Sequence, residues 1–122
     1  MTIMTSSKPV YTRGDIILVV FPDSNLRTGK LRPSLVVQAD NLQTGLPQVI
    51  VAMITSKVAR ANHASRVAVL VSSAEGSQSG LLTDSVIMTD NLATIAHTEI
   101  GRVIGSLPMS AIDAALRYTL NL

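Results

Sequence analysis

The chain has 122 residues, no cysteine and a formal charge of +2. A length of that order fits one domain with its own core, and the missing thiols exclude disulfide frameworks, thiolate metal sites and cysteine nucleophiles, so any chemistry falls to oxygen, imidazole and cationic groups. Apolar residues make up 47% and charged residues 15%, which leaves little polar cover for a small monomer and predicts a homodimer, while so small a net charge confines any nucleic-acid recognition to a local cluster of cations.

Residues 1–10 read as a flexible extension and 11–122 as a single domain. The start Met1-Thr2-Ile3-Met4-Thr5-Ser6-Ser7-Lys8 lacks a signal-peptide core. No stretch approaches the roughly 20 apolar residues that span a bilayer, so a cytoplasmic protein with no membrane contact is expected. The first strand is predicted at 16–20, closing on Phe21-Pro22. A polar loop over 23–31 then carries Arg27 and Lys30 and ends in Arg32-Pro33, before a second apolar run at 35–37. Cations on a loop held at both ends by buried strands point to an anion site, and phosphate is the commonest such anion. Further strands are predicted at 49–54, 67–71 and 86–88, separated by turn signals at Asp40-Asn41, Thr44-Gly45-Leu46-Pro47, 72–76 and Ser79-Gly80. Such spacing gives a small, strongly bent sheet or barrel. Several runs are apolar on both faces, so each strand is expected to be covered on both sides, by the rest of the barrel and by a helix or partner. Beyond Gly105 the period changes: Met109, Ile112, Leu116 and Leu120 make one helical stripe, predicting a helix over 108–120. Pro108 suits its first turn, with Ser110 and Asp113 as a capping pair. The fold class is mainly β with a C-terminal helix (α+β).

In order along the chain, Gly14-Asp15-Ile16 through Phe21-Pro22, Lys30-Leu31-Arg32-Pro33, Leu35-Val36-Val37, Ile54-Thr55-Ser56, Gly80-Leu81, Ser85-Val86, Asp90-Asn91-Leu92 and Ile104-Gly105 resemble the landmarks of the MazF/PemK (Kid) toxins of type II toxin-antitoxin pairs. The resemblance spans about residues 11–122. It implies a small SH3-like β-barrel with a C-terminal helix, and a homodimer whose loops form a groove for single-stranded RNA. It also implies an acidic antitoxin laid across that groove. The implied activity is endoribonucleolytic cleavage of mRNA without metal or cofactor, by attack of a 2′-hydroxyl to give a 2′,3′-cyclic phosphate and a 5′-hydroxyl.

By the same resemblance Arg32 matches the family's catalytic arginine and Thr55 the threonine that donates to the same phosphate, assisted by Ser56. Asp90 stands where the family's acidic residue contacts RNA or moves a proton. Arg27 and Lys30 are candidates for flanking phosphates. The residue chemistry agrees for Arg32, whose guanidinium holds two phosphate oxygens at once and keeps its charge. The alternatives are a loop anchor paired with Asp15 or Asp23 for Arg32, turn hydroxyls for Thr55 and Ser56, and a turn carboxylate for Asp90.

The chain departs from the family pattern in two places. Leu26-Arg27-Thr28-Gly29 stands where many relatives carry a Glu-Gln pair or a histidine, and Met88 where some carry an arginine. The general base is therefore unassigned, and a catalytically silent interaction module remains the alternative. His63 and His97 read as surface or packing residues. With only Tyr11, Phe21 and Tyr118 as rings, recognition by stacked bases is not expected. The absence of tryptophan argues against the gyrase-poisoning toxins of the same fold, which act through a tryptophan-containing tail.

Overall fold

Runs of valine and isoleucine favour extended backbone, where a branched Cβ packs well on a pleated surface. The computed structural model describes residues 10–22 and 29–122. In chain order the elements are β1 (Asp15–Pro22), β2 (Gly29–Val36), β3 (Gln48–Thr55), β4 (Arg66–Val69), α1 (Ala74–Ser79), β5 (Ser85–Ala96), β6 (Ile100–Ser106) and α2 (Ser110–Leu120). Short 3₁₀ turns lie at Val58–Ala61 and His97–Glu99.

The strands form one six-stranded sheet in the order β4-β5-β3-β2-β1-β6, with each neighbouring pair antiparallel. Successive side chains point to opposite faces, and both faces are apolar. Ile16, Leu35, Ile54, Val69, Ile87 and Ile112 meet in one core. Ile17, Val19, Val36, Val49, Val51 and Ile95 meet in a second. The expectation that the strands are covered on both sides is thus met largely within one chain. Val69 of the edge strand β4 belongs to the first core, and Ile104 of the opposite edge β6 packs against it. The sheet therefore coils around that core in a barrel-like fold, although β4 and β6 do not hydrogen-bond to each other. Helix α2 packs on β4 and β5, and α1 on β6.

Several elements differ from the sequence expectations. Lys30, Leu31 and Arg32 lie within β2, with Arg32 opposite Val19 and Lys30 opposite Phe21, rather than on a loop. Strand β6 and helix α1 occupy segments expected as turns or left unassigned. Helix α2 starts at Ser110, and Met109 at its N-cap position makes no side-chain capping bond. Asp113 is engaged elsewhere, accepting from the Arg13 Nη2 at 2.7 Å. Ile112 and Ala115 are buried as the stripe predicts, while Leu120 is half exposed.

Candidate active site

The cleft begins where one ladder stops. Strands β2 and β3 pair through Val36↔Val51, Leu35↔Ala52 and Ser34↔Met53. Continued in the same register, the next pairs are Pro33 with Ile54 and Arg32 with Thr55. Proline has no N–H to give to a ladder, and pairing ends there. From that point β2 stays with β1 and β3 with β5, through Thr55↔Val86. Between the diverging strands lies an open cleft of about 500 Å³. Arg32 from β2 and Thr55 from β3 both line it, and Ser56 and Lys57 continue its β3 side.

The opposite wall is built by glycine. Gly80 follows α1 with φ of +74°, and a Cβ there would fall 2.1 Å from the carbonyl oxygen of Ile104. Only glycine accepts both that conformation and that approach. The end of α1 thus rests directly on the β6 backbone and delivers Leu81, Leu82 and Thr83 to the cleft. Leu82 is 95% exposed and Leu31, on the β2 side, 57%, so the cleft has an apolar lip on each side.

Its charge is of one sign. The charged residues among those described at the cleft are Arg32, Lys57 and Arg102, and no described lining residue is a carboxylate or an imidazole. Arg32 and Arg102 are exposed, and neither belongs to an ion pair among the described residues. The half-buried Thr55 Oγ1 accepts from the Lys57 N–H at 3.2 Å. A hydroxyl that accepts in this way still has its own hydrogen to donate. The turn role and the donor role of Thr55 are thus compatible. Cationic forks and a hydroxyl donor around an open volume suit a phosphate, and suit it better as negative charge builds on it.

Of the other expected residues, Ser56 is at the cleft. Lys30 is exposed on β2, two positions before Arg32, and is not among the lining residues. Arg27 lies outside the described residues. Asp90 sits in a bulge of β5, where the register slips between Ala52↔Leu92 and Met53↔Met88. It accepts from Arg66 Nη2 at 2.8 Å and Nε at 3.4 Å, and this hydrogen bond holds its carboxyl below the usual range. Arg66 also donates to the Arg60 carbonyl oxygen at 3.2 Å. Asp90 thus joins β5 to β4 and is absent from the cleft lining. The bulge is further held by the buried Thr89, whose hydroxyl donates to the Ser65 carbonyl oxygen at 2.6 Å. Neither imidazole lines the cleft: His63 lies 2.7 Å from the Ser65 hydroxyl, and His97 lies 2.9 Å from the Tyr11 hydroxyl. Sequence reasoning missed Lys57, Thr83 and Arg102. Lys57 follows Ile54-Thr55-Ser56 directly and was within reach of that motif; Arg102 arrives through pairing of β6 with β1, and Thr83 through the packing of Gly80 on β6.

The chain is similar to known proteins in family and fold. The family model described as PemK-like, MazF-like toxin of type II toxin-antitoxin system matches residues 12–120. The Mycobacterium tuberculosis toxin MazF-mt6 is 29% identical, superposes with a TM-score of 0.67, and is covered over 97% of its chain by 88% of this one. A mycobacterial endoribonuclease in complex with its cognate antitoxin has a TM-score of 0.71 at 21% identity, covering 93% of this chain and 97% of that one. A MazE-MazF structure from Deinococcus radiodurans has a TM-score of 0.68 at 14% identity, covering 93% and 97%. No curated protein matches the chain significantly by sequence.

Proposed function

Since the chain belongs to the PemK-like, MazF-like family of type II toxin-antitoxin toxins, we propose that it is the toxin of such a pair: a homodimeric, metal-independent endoribonuclease that cuts single-stranded mRNA in the cytoplasm. Among the described residues no helix is long and apolar enough to cross a membrane. The 2′-hydroxyl of one nucleotide attacks the neighbouring phosphorus, the bond to the 5′-oxygen breaks, and the products carry a 2′,3′-cyclic phosphate and a 5′-hydroxyl. In this reading the Arg32 guanidinium spans the non-bridging oxygens and Thr55 donates its hydroxyl hydrogen to one of them. Both interactions strengthen as the phosphorane gathers charge, which is what lowers the barrier. Ser56 stands beside Thr55 as a further donor, and Lys30 and Arg27 remain candidates for steering flanking phosphates. The observation that carries the proposal is the meeting of Arg32 and Thr55 at the split between β2 and β3, in a cleft whose described charged groups are all cationic.

The same cleft suits an acidic antitoxin segment, which would compete with RNA for its cations. Structures of similar fold include a MazE-MazF crystal structure and an endoribonuclease in complex with its cognate antitoxin. The test is incubation of the purified protein with long single-stranded RNA in EDTA, alongside Arg32→Ala. The expected result is cleavage with cyclic-phosphate ends, lowered about 10²- to 10³-fold in the variant. A catalytically silent interaction module is the second reading, favoured by the lack of a carboxylate or imidazole among the described lining residues. RNA left intact by both proteins selects it.

A further inference from the structure

Strand β6 brings to the cleft a cation that no local motif announces. Two register shifts interrupt its pairing with β1: Ile16 faces Gly105 and Ile17 faces Val103, then Leu18 faces Arg102 and Val19 faces Ile100. Ile104 and Gly101 are the residues left over, and bulges of this kind re-aim the side chains beside them. Leu18 also pairs on its other side with Pro33. Paired residues share a face of the sheet, so Arg102, Leu18 and Pro33 form one row across three strands, and all three line the cleft. Two strand spacings of about 4.8 Å each separate the ends of that row. Arg32, next to Pro33, lines the same cleft where the β2–β3 ladder has ended, so Arg32 and Arg102 border one volume from β2 and from β6.

We infer that Arg102 binds a second phosphate of the RNA, adjacent to the one held by Arg32 and Thr55, so that the cleft reads a pair of neighbouring phosphates. The inference rests on the endoribonuclease reading above and adds to it how the strand lies: across β1, from β2 toward β6. Two contrasts support it. Arg13 and Arg66 are each taken by a carboxylate, at 2.7 Å and 2.8 Å, whereas Arg102 is exposed, lines a cleft with no described carboxylate, and pairs with none among the described residues. An arginine left open in this way keeps its fork of donors for an oxyanion. Its origin one full strand away from Arg32 places it beside the next linkage rather than on the same phosphorus.

The experiment first maps a cleavage site on long RNA, then uses short oligoribonucleotides carrying that site. One has all its phosphates; two others carry a single neutral methylphosphonate, one linkage before or one after the scissile bond. Arg102→Ala is expected to raise KM about tenfold with kcat within a few-fold, and to lower the slope of log affinity against log salt by about 0.7. One of the two methylphosphonate RNAs should be cut by wild type and variant with the same KM, because the phosphate that Arg102 reads is gone. Arg102→Lys should recover part of the loss, and Arg117→Ala, removing the same charge from α2, sets the effect of net charge alone. An equal wild-type-to-variant ratio on all three RNAs overturns the inference, as does a fall in kcat at unchanged KM, which would place Arg102 on the scissile phosphate itself. If the wild type cuts no RNA, the endoribonuclease reading fails. Binding of a 2′-O-methyl RNA then decides the inference separately, and an undiminished salt slope in Arg102→Ala overturns it.

Discussion

Thr55 illustrates how one hydroxyl can serve the chain and a ligand together. Its oxygen accepts from the Lys57 amide, which fixes the rotamer and leaves the hydrogen to be donated. Thr55→Val keeps the shape and removes the donor, so cleavage should fall about 10²-fold with little change in Tm, since the amide left without its partner is at the surface. Thr55→Ser should restore much of the rate; a rate insensitive to both changes would remove Thr55 from the chemistry. Asp90 predicts a different behaviour. Arg66 holds its carboxyl below the ordinary value, so the pair stabilises the fold at pH values above about 3.9, the unfolded reference, and this contribution disappears as pH falls through the lowered folded value. The stability difference between wild type and Asp90→Asn, followed by denaturant titration from neutral pH downward, should therefore shrink to nothing in strong acid. Its size is small because solvent screens an exposed pair, and a difference that grew with acidity would contradict the assignment. The place of Arg32 at the cleft was legible in the sequence because the Arg-Pro motif that carries the family resemblance is covalently local, although its lying within β2 was not. Arg102 was not, because its place depends on a register with Leu18 across more than 80 residues of chain.

At the scale of elements, the cleft depends on a six-residue helix that carries no apolar stripe. Ala74–Ser79 contains Gly76, and its sequence, rich in serine and glycine, reads as a turn by every local criterion. It is held instead by a cap and by close approach: the Ser73 hydroxyl accepts from Gly76 at 3.0 Å, and Gly105 lets the Ser79 backbone come so near β6 that a Cβ would meet it at 2.3 Å. Those are tertiary facts, which periodicity does not encode. Strand β6 was hidden for a related reason, since Gly101 and Gly105 interrupt its alternation and its two bulges break the period of two. The apolar runs of β1 and β3 were legible because burial on both faces leaves an unbroken signal, whereas only 86–88 of β5 was, since Thr89-Asp90-Asn91 breaks its run. Gly80→Ala tests the far wall. It adds a Cβ 2.1 Å from a backbone oxygen at a left-handed φ, so a loss of at least 1 to 3 kcal/mol is expected. If the protein remains folded, RNA affinity should fall as well, because Leu81, Leu82 and Thr83 would be displaced. A Gly80→Ala protein with unchanged Tm would mean that α1 does not rest on β6 as described.

For the whole molecule, the question raised by composition is where the apolar excess goes. Much of it is used within the chain, since both faces of the sheet carry a core. What is left over is still large: Leu70 and Leu120 are 50% exposed, Tyr118 62% and Leu122 85%, none of them at the cleft. Leaving such side chains in water forgoes roughly 25 cal/mol for each Å² that a partner could cover, whereas Leu31 and Leu82 at the cleft have a use in contact with a ligand. The proposed homodimer accounts for the first group without the second. It predicts a sedimentation mass about twice the 12.9 kDa of the chain at micromolar concentration. It also predicts a Tm that rises with protein concentration, because association stabilises the folded state by mass action. Tyr118→Glu and Leu120→Glu, at two exposed positions of α2, should shift the equilibrium toward monomer if that helix lies in the interface. The concentration dependence of Tm should then vanish while the monomer's two cores keep it folded. A monomer at every concentration, with a Tm independent of dilution, would show that this chain tolerates its exposed apolar surface unpartnered, and the Arg32 cleft would then have to act as a single unit.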